Sequence, residues 1–146
     1  MTKLTVLYGT ETGNSELLAM DICKAGENSG LECEHYGMEV IEISEFCDIE
    51  NLLIVCSTWG DGEQPDNAID LFEQVEGLNE GAIQSMKFSV LALGDTAFDL
   101  FCEAGKEWDR VLEEKGANRI HDRVDCDVDY EDDAEEWIEN VISIFG

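Results

Sequence analysis

The 146 residues, 44% hydrophobic and 8% aromatic with a single proline, suit one globular domain and argue against a low-complexity or collagen-like chain. Thirty-five acidic residues against eight basic ones give a formal charge of −27, which repels a phosphate backbone and makes nucleic acid and anionic membranes poor partners. No apolar run reaches membrane-spanning length, and the chain opens on a strand rather than a basic, then apolar, leader; a soluble cytoplasmic protein is expected.

In chain order, Leu4–Tyr8 reads as a short apolar strand ending at Gly9. A helix follows from about Gly13 to Asn28, with Leu18, Ile22 and Ala25 on one face and Gly30 closing it. Leu31–Tyr36 alternates as a strand near an edge, and Asn51–Ser57, containing Leu-Leu-Ile-Val-Cys, reads as a strand buried on both faces. Asp66 can cap a helix striped by Ala68, Leu71, Phe72 and Val75. Lys87–Leu93 is the next buried strand, stopped at Gly94. Ala104, Trp108, Val111 and Leu112 stripe another helix, ended by Gly116. A short strand near Arg119–Val124 and a last helix carrying Ala134, Trp137, Ile138, Val141, Ile142 and Phe145 complete the pattern. Strands of four to seven residues alternating with helices imply βαβ units. Right-handed crossovers then give a three-layer, doubly wound five-stranded parallel sheet of order 2-1-3-4-5.

Ligands of such a sheet bind beyond the carboxyl ends of its strands, where three loops gather. The first, Gly9-Thr10-Glu11-Thr12-Gly13-Asn14-Ser15, offers hydroxyl and amide donors and opens into a helix whose N–H groups and dipole favour an anion. No lysine or arginine lies between Lys3 and Lys24, so a phosphate there would be held by neutral donors alone. The pattern is neither a Walker loop nor G-x-G-x-x-G; the plain alternative is a helix start capped by Thr12 or Ser15. The second loop, Ser57-Thr58-Trp59-Gly60-Asp61-Gly62-Glu63-Gln64, sets a tryptophan between flexible residues, either as a platform for a planar ligand or folded back over the core. The third runs from Leu93 and Gly94 through Asp95, Phe98 and Phe101 to Cys102, and its two aromatics can divide between the core and the crevice.

Together these loops resemble the three FMN-binding loops of the flavodoxin family, in that family's order and over essentially the whole chain. Pro65-Asp66-Asn67-Ala68 is also similar to the FMN domains of diflavin reductases, and the uninterrupted last strand to short-chain flavodoxins. The resemblance implies that Thr10 to Ser15 cradle the FMN phosphate and that Ser57 and Thr58 belong to the second FMN-binding loop. It implies that Trp59 covers one face of the isoalloxazine and Phe98 the outer face, where the family usually has tyrosine. Gly60 and Asp61 would bring a backbone carbonyl to the flavin N5, the peptide flipping with the flavin's redox state. Asp95 and the backbone to Cys102 would hold the pyrimidine edge, and Asp127, by a looser match, the ribityl or pyrimidine side.

The expected function is that of a monomeric, non-enzymatic electron carrier. It would shuttle single low-potential electrons between a reductase and an acceptor enzyme, docking basic-surfaced redox partners on an acidic rim. Salt adaptation is the other reading of that acidity. The six cysteines show no CxxC and read as reduced thiols; Asp125 to Glu136 has calcium-loop spacing, but Tyr130 stands where the turn needs glycine. His35 and His121 read as ordinary strand residues, and Trp108 and Trp137 as core. A phosphoryl-receiver domain shares the sheet order, but Gly9-Thr10, Ser57-Thr58 and Arg123-Val124 occupy the places of its acids and lysine. An accessory module that has lost tight FMN binding is the remaining alternative.

Overall fold

In β3 (Asn51–Ser57), Leu52, Ile54 and Cys56 face one core while Leu53 and Val55 face the other, the period of two that a strand buried on both sides demands. β1 (Lys3–Gly9) and β4 (Lys87–Leu93) flank it, and β2 (Glu32–Gly37) forms the edge beyond β1. The computed structural model describes residues 2–10, 13–58, 62–95 and 101–145. Among the described residues the strand pairs are parallel, in the order β2-β1-β3-β4-β5 with β5 at Asn118–Arg119, as the alternation of elements predicts.

Among the described residues five α-helices cover the sheet: α1 (Asn14–Asn28), α2 (Ile43–Cys47), α3 (Ile69–Glu76), α4 (Glu103–Glu114) and α5 (Glu131–Phe145). α1 and α5 pack on one face around Trp137, while α3 and α4 pack on the other around Trp108, whose ring meets Phe72 edge-on at 5.0 Å. Both tryptophans are fully buried, as their stripes require. At Gly105 a Cβ would come within 2.3 Å of the Ala92 Cβ, so the absence of a side chain lets α4 lie directly on β4.

Three features depart from the sequence reading. The segment between Tyr36 and Asn51, which carries no periodic signal, holds a 3-10 turn at Met38–Val40 and the short α2. The N-cap position of α3 is Ala68 and not Asp66: the helix begins at Ile69, and the Ala68 N–H closes a turn onto the Pro65 carbonyl at 2.8 Å. The fifth strand is not continuous over Arg119–Val124. It is two segments beside β4, β5 (Asn118–Arg119) and β6 (Val124–Cys126), which bring the count to six.

At this break the Arg119 and Arg123 guanidiniums both meet the nearly buried Asp109 of α4, each at 2.8 Å. Ser89 of β4 spans the gap, donating to the His121 carbonyl at 3.0 Å and accepting the Trp137 indole N–H at 3.0 Å. His121 therefore lies between the two strands rather than on one, while His35 is on β2.

Candidate functional site

β1 and β3 are neighbours whose connections leave in opposite directions, so their carboxyl ends open the crevice at which this topology binds ligands. β1 ends at Gly9, where a Cβ would stand 3.1 Å from both Ala68 Cβ and Cys56 Sγ; only hydrogen fits that contact comfortably. Gly13 then takes a φ of 91°, the left-handed turn that swings the chain into α1. Its N–H donates to Thr10 Oγ1 at 2.8 Å. The N-cap position of α1 is Gly13, which has no side chain, and the first-turn N–H groups turn the positive end of the helix toward the loop.

The described parts of the three loops are bonded to one another. The Ser15 and Ser57 hydroxyls share a hydrogen bond of 2.8 Å, joining the first loop to the end of β3. Thr58 donates its N–H to the Leu93 carbonyl at 3.0 Å, and its Oγ1 accepts the Ala104 N–H at 3.1 Å in the first turn of α4. Gly94 donates to the Cys126 carbonyl at 2.9 Å, bringing the residues just before Asp127 against the third loop. Thr10 and Thr58 accept backbone N–H groups, so each hydroxyl keeps its own proton to give. Those protons and the open end of α1 form a neutral donor set suited to a phosphate monoester.

Of the candidate residues, Thr10, Gly13, Asn14, Ser15, Ser57, Thr58, Leu93, Gly94, Asp95, Phe101, Cys102 and Asp127 are described. Glu11, Thr12, Trp59, Gly60, Asp61 and Phe98 lie outside the described residues. Ser15, Leu93 and Cys102 are buried, so what Leu93 and Cys102 present is backbone. Cys102 has a φ of 56° and begins α4, and its thiol points to the Cys126 carbonyl at 3.5 Å. Burial, and to a lesser degree the charge of Asp125, pushes that thiol up to about 12, so it supplies no thiolate near neutral pH. Phe101 lies against Gly94, with Lys106 Nζ 5.9 Å from its ring centre. Asp127 is half-buried and its Oδ1 accepts the Val128 N–H at 2.8 Å.

Two organising residues escaped the sequence reading. Asn67 accepts the Thr10 N–H at 2.9 Å and donates to the Tyr8 carbonyl at 3.2 Å and to Glu39 at 2.8 Å. Gln64 accepts the Trp108 indole N–H and donates to the Ala104 carbonyl, both at 3.0 Å. The available signal was two amides within four residues of an otherwise acidic stretch, since an amide can both give and accept where a carboxylate cannot.

The sequence pattern of the Flavodoxin family matches residues 6–139. The chain is 45% identical over 140 residues to the sulfite reductase [NADPH] flavoprotein alpha-component of Bacillus subtilis (strain 168), covering 96% of this chain and 23% of that protein. The corresponding protein of Vibrio cholerae is 34% identical over 142 residues, again with 23% of its length covered. The chain thus spans less than a quarter of these relatives. Among solved structures, a flavodoxin of Streptococcus pneumoniae TIGR4 superposes with a TM-score of 0.86 at 27% identity, covering 97% of this chain and 96% of that one. A cysteine-to-alanine variant of the flavodoxin from Pseudomonas aeruginosa gives 0.87 at 26%, covering 99% of each. With its strand order, crevice and bonded loops, this chain belongs to the flavodoxin family of FMN-binding electron-transfer proteins.

Proposed function

We propose that this chain holds FMN in the crevice at the ends of β1, β3 and β4 and passes single low-potential electrons from a reductase to an acceptor enzyme. The observation that carries the reading is the hydrogen-bonded lock between the loops, Ser15 to Ser57, Thr58 to Leu93 and to Ala104, which fixes a neutral donor set at the switch point. FMN supplies the electron-transfer chemistry when bound. The chain's residues bind and orient it. Thr10 to Ser15 take the phosphate on hydroxyl protons and the α1 terminus, without a lysine or arginine between Lys3 and Lys24. Trp59 and Phe98 stack on the ring system, Gly60-Asp61 present backbone to its N5, and Asp95 with the backbone to Cys102 hold its pyrimidine edge.

The surrounding acids set the energetics. One negative charge at about 10 Å with an effective dielectric near 20 disfavours added negative charge by about 1.7 kcal/mol, roughly 70 mV per electron before screening. Asp61, Glu63, Asp66, Asp95 and Asp99 all lie in or next to the loops, so reduction is held to low potential. The same rim attracts basic-surfaced partners. The likeness to NADPH sulfite reductase flavoproteins favours, as the specific chain of transfer, electrons originating from NADPH and ending on a sulfite-reductase-type acceptor.

The test is a visible spectrum of the purified protein during stepwise anaerobic reduction, with bound FMN quantified after release. One FMN per chain, reduced in two resolved one-electron steps, is the expected result. A protein that stays colourless after incubation with FMN overturns the proposal and leaves the fold standing.

A further inference from the structure

Away from the crevice, Cys23 lies on the buried face of α1 and is 5% exposed, while Cys33 is half-buried on the edge strand β2. The helix and strand are in close contact at this point. Gly26, three residues after Cys23 on the same face of α1, comes so near β2 that a Cβ on it would stand 3.5 Å from the Cβ of Cys33. Both sulfur-bearing residues line one shallow surface cleft, together with Met20, Lys24, Glu27 and His35. We propose that Cys23 and Cys33 form a redox-active dithiol site whose substrate is hydrogen peroxide, and whose product is an internal disulfide stapling α1 to β2.

The two thiols bias each other's ionisation: Cys33 lowers the pKa of Cys23, while Cys23 first, and then burial, raises that of Cys33. The first proton therefore leaves Cys23, and the second is held between the sulfurs. The other four cysteines contrast with this pair. Burial raises Cys47, Cys56, Cys102 and Cys126 alike, so all four remain protonated thiols near neutral pH. Reaction begins when the Cys23 thiolate attacks one peroxide oxygen: the O–O bond breaks, Cys23 becomes a sulfenic acid, and the departing hydroxide takes a proton to become water. The Cys33 sulfur then attacks the Cys23 sulfur, its proton passing to the leaving oxygen. The S–O bond breaks, the S–S bond forms, and a second water leaves. Two thiols lose two electrons and two protons, and one peroxide becomes two waters. The bond would close a short loop through Gly30, and no cofactor takes part.

The experiment exposes the intact chain to equimolar hydrogen peroxide, alkylates the remaining thiols, and reads intact mass and non-reducing peptide maps. The expected product is a monomer lighter by two hydrogens, with one crosslinked peptide pair joining Cys23 to Cys33 and reversal by dithiothreitol. Its thermal midpoint should rise by about 5–10 °C, the effect of closing a short loop in the unfolded chain. Cys33→Ser should leave Cys23 as a sulfenic acid that dimedone traps, and Cys23→Ser should leave Cys33 unoxidised. Full alkylation of both residues after peroxide treatment, or a crosslink made through any of the other four cysteines instead, overturns the proposal.

Discussion

Asn67 shows how much one amide can organise. Its three hydrogen bonds reach the end of β1, the backbone of the first loop and Glu39. Asn67→Ala strands the Thr10 N–H and the Tyr8 carbonyl and should cost about 1–3 kcal/mol in urea unfolding. Bound FMN should be lost more readily on dialysis; an unchanged unfolding midpoint would show that the bridge carries no weight. Glu107 is the opposite case, a side chain held at a cost. Burial first, then repulsion from Glu103, raises its pKa above the usual carboxylate value, against the opposing influence of Arg110 and a hydrogen bond from Gln64. A raised folded-state pKa means that stability is full below the unfolded value and declines as pH rises through the folded one. Glu107→Gln should therefore be more stable than the wild type at pH 7 and indistinguishable from it near pH 4, as thermal melts at the two pH values would read. Neither role is visible in a list of residue types, because each depends on partners supplied by distant elements.

The five helices and the strands through β4 differ in how openly the sequence announces them. An unbroken apolar run marks β3, and the stripe ending at Phe145 marks α5, because both bury wide apolar surfaces that the residue pattern reveals. α2 has five residues, too few for a periodic signal. The broken fifth strand was invisible for another reason: Asp109 and Ser89, which hold the break in shape, belong to α4 and β4. α4 also takes its cap from outside itself. Its N-cap position is Cys102, which makes no side-chain cap, and Thr58 Oγ1 accepts the Ala104 N–H from 46 positions away. Thr58→Ala should destabilise the protein by about 1 kcal/mol, and Thr58→Ser should restore most of it, as chemical denaturation would show. Equal stability of the two variants would remove the cap from the account.

Across the whole molecule the excess of acid governs how the protein answers salt. A net −27 on a small domain repels itself, and ions shorten the reach of that repulsion to about 10 Å at 0.1 M. The thermal midpoint should rise between 20 mM and 500 mM sodium chloride, while the rate of electron transfer with a basic partner should fall over the same range. A rate that does not respond to salt would assign the acidity to salt adaptation instead of docking. The three loops could be located from sequence, since glycines, hydroxyls and aromatics cluster at strand ends, but the bonds that lock them could not. Those bonds tie Thr10 to Asn67, Ser15 to Ser57, Thr58 to Ala104 and Gly94 to Cys126, each between positions far apart in the chain. During translation the consequence is a strict order of events. The first loop emerges early but lacks its anchor until Asn67 has left the ribosome, and the third lacks its own until Cys126 has. A nascent chain arrested between the emergence of Asn67 and that of Cys126 holds the first loop with its anchor but an unfinished third loop, so cofactor capture reports that synthesis has passed Cys126.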